Sequence, residues 1–174
     1  MTDFPVSAPA APIIVSALFG RDDFAWLDGL RRAHFPPDRN QLPAHLTLFH
    51  HLPPSIEGEL KRRLSEATQR ARPPATASGL INLGRGVAIR IEAPELESLR
   101  AELADAFAGL LVPQDAAGWR PHVTIQNKVQ PTEAKTLLTS LAGDFQPRGI
   151  GFTGLAVWRY RGGPWEPISQ HMFR

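Results

Sequence analysis

The apolar positions of the chain change period repeatedly, and the changes divide it into short elements. Pro12 to Phe19 (Pro-Ile-Ile-Val-Ser-Ala-Leu-Phe) is a nearly continuous apolar run, the pattern of a central strand. Two acids, Asp22 and Asp23, then suit the positive end of a helix. Phe24, Leu27, Leu30 and Arg31 follow at helical spacing until Pro36-Pro37 stop them. After the polar stretch Asp38 to Pro43, a short apolar run with a β-branched residue, Ala44-His45-Leu46-Thr47-Leu48-Phe49, reads as a second strand, closed by Pro53-Pro54. Ser55 suits the N-cap of a helix reaching about Ala71, with Ile56, Leu60, Leu64, Ala67 and Ala71 on one stripe. Thr76 to Leu83 and Val87 to Glu92 form two strands around Gly84-Arg85-Gly86, a hairpin signal.

The pattern then begins again. Pro94 suits the first turn of a helix with Leu96, Leu99, Leu103, Phe107 and Leu110 on its apolar stripe. A loop from Val112 to Pro121 leads into a strand, His122-Val123-Thr124-Ile125-Gln126, that ends near Lys128. Pro131 opens a helix with Leu137, Leu138 and Leu141 inward, closed by Gly143. Ile150 to Tyr160 is a strand, Gly162-Gly163 a turn, and Trp165 to Phe173 a last strand. His45 and His122 stand 77 residues apart, and the same offset carries each element of residues 12–83 onto one of residues 87–160, with a final strand over 164–173. The order is β-α-β-α-β twice. Helical connections and a hairpin together predict an α+β fold with mixed or antiparallel sheets. Two lobes related by approximate two-fold symmetry would bring both His-containing strands to one central cleft. Residues 12–174 are expected to form the two-lobed domain, preceded by a flexible tail over 1–11.

The two strands carry the same motif, His-x-Thr after a proline: Pro43-Ala44-His45-Leu46-Thr47 and Pro121-His122-Val123-Thr124. Strand side chains alternate between faces. His45, Thr47 and Phe49 therefore share one face, and Leu46, Leu48 and His50 the other; His122, Thr124 and Gln126 share a face in the second copy. One histidine can act as base and another as acid near neutral pH, and two threonine hydroxyls can donate to the oxygens of one small anion. Phosphoryl chemistry with water or a ribose hydroxyl as nucleophile needs no further side chain. A lone His-x-Thr is commonplace; the spaced pair in equivalent places is what carries the reading. His50 and His51 raise a zinc site as a competitor. However, His50 falls on the face opposite His45, and no acid lies within several positions of either motif, so no metal is assigned. His34 and His171 read as surface or terminal residues.

Composition narrows the class further. With 174 residues, 43% of them hydrophobic, the chain can bury a core, and it holds no cysteine, hence no disulfide or thiolate metal site. No apolar run has the length of a membrane span, and the first residues, with Asp3 and no basic n-region, do not resemble a signal peptide. A cytoplasmic protein is the expectation. The formal net charge is only +2, but 16 of the 19 basic residues are arginine. Arginine forks match phosphate and stack on bases; a GC-rich genome enriches arginine equally well. Trp119-Arg120 directly precedes Pro121-His122, so a stacking ring and a guanidinium can sit at the cleft edge, or Trp119 can pack beneath its loop. Gln126 can bond the substrate or merely Thr124. Arg85, Arg90, Arg159 and Arg161 lie on strands that can flank the groove.

The two motifs resemble those of the 2H phosphoesterase superfamily, most closely its bacterial 2′-5′ RNA ligase-like, or 2′,3′-cyclic phosphodiesterase, branch. The likeness runs from Pro12 to Phe173 through the order of elements. It implies a two-lobed fold with a central groove, and His45, Thr47, His122 and Thr124 as the catalytic set, with no metal or other cofactor. It implies hydrolysis of 2′,3′-cyclic phosphates on RNA 3′ ends or nucleotides, commonly leaving 2′-phosphates, with 2′-5′ RNA ligation in some members. Trp119, Arg120 and Gln126 are the candidate substrate contacts. Two alternatives remain at this point: an RNA- or nucleotide-binding module with little turnover, and a hydrolase of another cyclic or 2′-5′ phosphodiester metabolite.

Overall fold

The computed structural model describes residues 11–174. The expected tail falls almost wholly on residues 1–10, outside the described residues. The strands are β1 (Ile13–Phe19), β2 (Leu46–Leu52), β3 (Pro74–Asn82), β4 (Val87–Glu92), β5 (His122–Gln126), β6 (Arg148–Arg159) and β7 (Glu166–Met172). The helices are α1 (Arg21–His34), α2 (Glu57–Ala67), α3 (Pro94–Ala106), α4 (Pro113–Ala116) and α5 (Pro131–Ala142), with a 3₁₀ turn over Pro54–Ile56. The fold is α+β, and the β-α-β-α-β order occurs twice before the last strand.

All seven strands join one sheet with the path β2-β1-β6-β3-β4-β5 and β7 beside β6. Every described ladder is antiparallel, so the mixed arrangement left open above does not occur. The third strand of each unit crosses to the other: β3 pairs with β4, and β6 pairs with β1. The two crossing strands meet at the centre, where Pro74 pairs with Gly151, its own counterpart 77 residues later. A residue paired with its own counterpart is what an approximate two-fold axis at that point requires. The exchange binds the halves into one core: Ile13, Val15, Leu27 and Leu64 pack in the same cluster as Ile89, Leu99, Val123 and Phe152.

The boundaries differ from the sequence expectation where side chains intervene. Ser55 lies in the 3₁₀ turn, not at an N-cap, and α2 stops at Ala67 because the Thr68 hydroxyl turns back to donate to the Leu64 carbonyl at 2.8 Å. Ala71 is left exposed. Helix α3 ends at Ala106; Gly109 takes φ +85°, the chain turns away, and Leu110 leaves the apolar stripe at 51% exposure. The stretch expected as a loop over 112–121 contains α4.

Gly86 joins the central hairpin to the second motif strand. A Cβ there would lie 1.9 Å from the Gln126 carbonyl oxygen. Gly86→Ala is therefore expected to destabilise the protein by about 2–3 kcal/mol, as forced overpacking does, read as a lower urea midpoint at unchanged m value.

Candidate active site

The two motifs sit on β2 and β5, the opposite ends of the sheet path. His45 stands just before β2, and His122 opens β5. In both strands the alternation breaks one residue after the threonine. Thr47 pairs with Ser16, but Phe49 with the preceding Val15; Thr124 pairs with Ala88, but Gln126 with the preceding Val87. Leu48 and Ile125 are thus the extra residues of two β-bulges, which bend a strand and re-aim its side chains. The burial agrees: Leu46, Leu48 and Phe49 are buried around half-exposed Thr47, as are Val123, Ile125 and Gln126 around Thr124.

The bulges correct three expectations. Phe49 leaves the His45 face for the core. His50 turns into the cleft it was expected to face away from. Gln126, a candidate substrate contact, is buried outside the cleft, its Oε1 without a hydrogen-bond partner among the described residues.

The cleft has a volume of about 270 Å³. It is lined by His45, Thr47, His122 and Thr124 together with Trp119 and Arg120. Sequence reasoning missed five further residues of its wall: His50, Arg100, Gln114, Asp115 and Gly118. The signal for Asp115 was a carboxylate seven residues before His122, hidden in a segment read as loop. Trp119 borders the cleft, and its Nε1 donates to the Thr47 carbonyl at 3.0 Å. Arg85, Arg90, Arg159 and Arg161 do not line the cleft. Arg159 pairs with Glu57, Arg161 with Glu166 at 2.7 Å, and Arg85 donates to the Val129 carbonyl. His171 lies between Ser65 and Ser169, away from the cleft.

The two motif histidines are held alike. His45 Nδ1 lies 2.8 Å from the Pro43 carbonyl, and His122 Nδ1 lies 2.8 Å from the Arg120 carbonyl, each two residues upstream. A carbonyl only accepts, so each Nδ1 carries the proton, which leaves each Nε2 for proton transfer. Burial pushes the His45 pKa below the ordinary histidine value. The Pro43 bond opposes that, and the nearby Arg31, His50 and His122 charges add to it. His45 is thus neutral at pH 7 and able to accept a proton.

The third imidazole is held by a carboxylate. Fully buried Asp115 accepts the backbone N–H groups of His50 (2.9 Å) and His51 (2.9 Å), and its Oδ1 lies 3.1 Å from His50 Nδ1. Burial alone would raise its pKa, but the bonds from the His50 ring and the two backbone N–H groups outweigh it and hold the carboxyl below its usual range. Asp115 is the only carboxylate in the wall, and both its oxygens are occupied, so Arg100, Arg120 and the two threonine hydroxyls give the cleft the character of an anion site. Among the described residues, no group of three or more His, Cys, Asp or Glu side chains forms a metal-ligand set.

Two buried arginines brace the motif strands from the opposite half. Arg31 of α1 donates to the Thr124 carbonyl at 2.9 Å and to Asn40 at 2.9 Å. Arg100 of α3 donates to the Leu48 carbonyl at 3.1 Å and to the Asp115 carbonyl at 2.6 Å. Each guanidinium also stacks on a ring: Arg31 lies 4.2 Å from the Phe35 centroid, and Arg100 lies 4.4 Å from that of Phe49. Burial lowers both pKa values, opposed by Asp28 and Asp115 respectively; both groups stay charged at neutral pH.

Paired His-x-Thr strands meeting across one cleft, in an antiparallel sheet whose third strands are exchanged, define a 2H phosphoesterase. The family model described as the 2'-5' RNA ligase superfamily matches residues 19–164, and the chain belongs to that superfamily. Its fold is similar to that of TT0787 of Thermus thermophilus (TM-score 0.62, 17% identity, covering 94% of this chain and 98% of that one). A crystal structure titled simply as a phosphoesterase is similar at TM-score 0.59 and 18% identity over 94% and 98% of the two chains. E. coli LigT, crystallised with 3'-AMP, gives a TM-score of 0.56 at 18% identity over the same 94% and 98%. No curated protein is significantly similar to the chain in sequence.

Removing the Asp115 carboxylate would strand two backbone N–H groups and the His50 ring. Asp115→Ala is expected to lower stability by about 2–4 kcal/mol, measured by urea unfolding. Because the native pKa of Asp115 is depressed, its contribution is present above the ordinary carboxylate pKa, about 3.9. It disappears only as the pH falls through the lower native value, so the wild-type–mutant difference should be flat from about pH 5 to 8 and shrink in acid.

Proposed function

We propose that the protein is a phosphodiesterase that opens 2′,3′-cyclic phosphates on RNA 3′ ends or nucleotides, using the two His-x-Thr pairs and no metal. One observation carries the reading: two imidazoles with the same backbone anchor, each with a threonine two residues on, border one cationic cleft. His45, neutral through burial, takes a proton from water as the water oxygen bonds to phosphorus. The bond to the ribose 3′ oxygen breaks, that oxygen receives a proton from His122, and a 2′-phosphate remains. Thr47 and Thr124 donate to the non-bridging oxygens as their charge grows. Arg120 at the cleft edge and Arg100 in its wall supply positive potential. Attack by a 5′-hydroxyl in place of water, with the same proton transfers, forms a 2′-5′ linkage, so RNA ligation is an activity of the same site. A similar fold in LigT, crystallised with 3'-AMP and with phosphate, supports a nucleotide-sized anion as ligand.

Hydrolysis of a 2′,3′-cyclic nucleotide in excess chelator tests the reading. His45→Ala and His122→Ala should each lower kcat by about 10²- to 10⁴-fold while the folded signal is kept, and Thr47→Val or Thr124→Val by about 10²-fold. Full activity in either histidine mutant, or loss of wild-type activity on chelation, refutes the assignment. His45 works deprotonated and its pKa is depressed, so the acid limb of kcat/KM against pH should reach half-height below about 6.5.

A further inference from the structure

Every hydrogen bond of the Asp115 carboxylate goes to one short stretch: the backbone N–H groups of His50 and His51, and the His50 ring. The side chain is fully buried, and Arg100 holds the Asp115 carbonyl at 2.6 Å. The carboxyl, held below its usual pKa range by these bonds, is ionised at neutral pH. An ionised carboxylate only accepts, so His50 Nδ1 carries a proton. That leaves Nε2, on the far side of the ring, without a hydrogen-bond partner among the described residues. The His50 side chain is 42% exposed and lines the anion cleft. A buried acid thus fixes the orientation of a solvent-reachable imidazole, three residues beyond Thr47 on the same strand.

The mechanism above gives each motif residue a task and gives none to His50. A phosphodiester has two terminal oxygens, which the two threonines meet. A phosphomonoester has a third, and with it a second negative charge. The charged and titratable groups that share the cleft with His50 are His45, His122, Arg100, Arg120 and Asp115. Positive charge on any of the first four opposes positive charge on His50; Asp115 favours it. A dianion in the cleft adds a second favourable partner. The ring can then take a proton from the buffer and donate from both nitrogens, Nδ1 to Asp115 and Nε2 to phosphate, as charge-assisted bonds.

We propose that His50, positioned by Asp115, is a third ligand-contacting imidazole that binds the third terminal oxygen of a phosphomonoester in its cationic form. The inference rests on the reading of the cleft as a phosphate site and adds a specificity: the site holds a dianionic monoester, the product type, in preference to a monoanionic diester. A hydrogen bond between charged groups corresponds to about a 10- to 100-fold gain in affinity.

The test uses two ligands that cannot cyclise, 3′-deoxyadenosine 2′-phosphate and its methyl diester. Calorimetry on the full chain at about pH 7.5, above the second phosphate pKa of about 6, gives the monoester-to-diester affinity ratio. His50→Gln leaves Asp115 its two backbone N–H partners and is expected to lower that ratio by about 10- to 100-fold. A merely structural role would weaken both ligands alike and leave the ratio unmoved. Long-range proton–nitrogen NMR of the histidine rings should show both His50 nitrogens protonated in the monoester complex, with the signals assigned by their loss in His50→Gln. Asp115→Asn should lower the ratio as His50→Gln does; where that variant does not fold, the His50→Gln ratio and the NMR signature decide. A fall in the ratio of less than about 5-fold in His50→Gln, a neutral His50 ring in the complex, or a wild-type ratio in folded Asp115→Asn overturns the proposal. Binding of neither ligand refutes the phosphate site and the proposal with it. Hydrolysis of cyclic phosphates with an unmoved ratio refutes the role of His50 alone. A fallen ratio without hydrolysis by the wild type refutes the activity and leaves the role of His50 standing.

Discussion

The site depends on hydrogen bonds that cross from one half of the chain to the motif strand of the other. Strands β2 and β5 are the two ends of the sheet path, so no further strand is available to satisfy their outer main-chain groups. Side chains take that place. On β2, Trp119 caps the Thr47 carbonyl, Arg100 the Leu48 carbonyl, and Asp115 the N–H groups of His50 and His51. On β5, Arg31 caps the Thr124 carbonyl. Buried backbone groups demand partners, and the partners here lie across the cleft. The same bonds that quench two strand edges thus fix the distance between the two motifs.

The bulges complete the device. An extra residue after each threonine breaks the alternation and leaves a carbonyl at or beside the irregularity, and these are the carbonyls that Arg100 and Arg31 reach. Each bulge also directs the motif strand's next large side chain inward. In β2 that side chain is Phe49, which becomes the platform for Arg100; in β5 it is Gln126, whose amide oxygen is left unpartnered among the described residues. The two halves are alike in backbone and unlike in side chains, and the differences fall around the first motif. The first motif has a third histidine, His50, beside it in the cleft, and His45 also borders an apolar cavity.

That asymmetry gives the histidines unequal electrostatic settings despite their identical backbone anchors. His45 is desolvated among aromatic rings and faces neighbouring positive charge, conditions that favour a neutral base. The cleft beside it is polar, with two arginines against one carboxylate, conditions that favour a phosphate.

The element order, the 77-residue spacing, the identity of the two His-x-Thr pairs and most of the core were legible in the residues alone, because these follow from local periodicity and from residue types. So was the resemblance to the superfamily, since a spaced pair of motifs is a local signal. Anything that turns on register was not legible. A one-residue bulge reverses every side chain beyond it, and nothing in Leu48 or Ile125 announces one; hence His50 was placed on the wrong face and Gln126 in the site. Asp115 and Arg100 were equally silent, since a lone acid in a loop and an arginine on a helix stripe acquire meaning only when another strand's edge arrives beside them. The exchange of third strands, the crossing caps and the cavity shared through His45 join residues far apart in the chain. Folding alone settles these, because the groups that satisfy one another there belong to different halves.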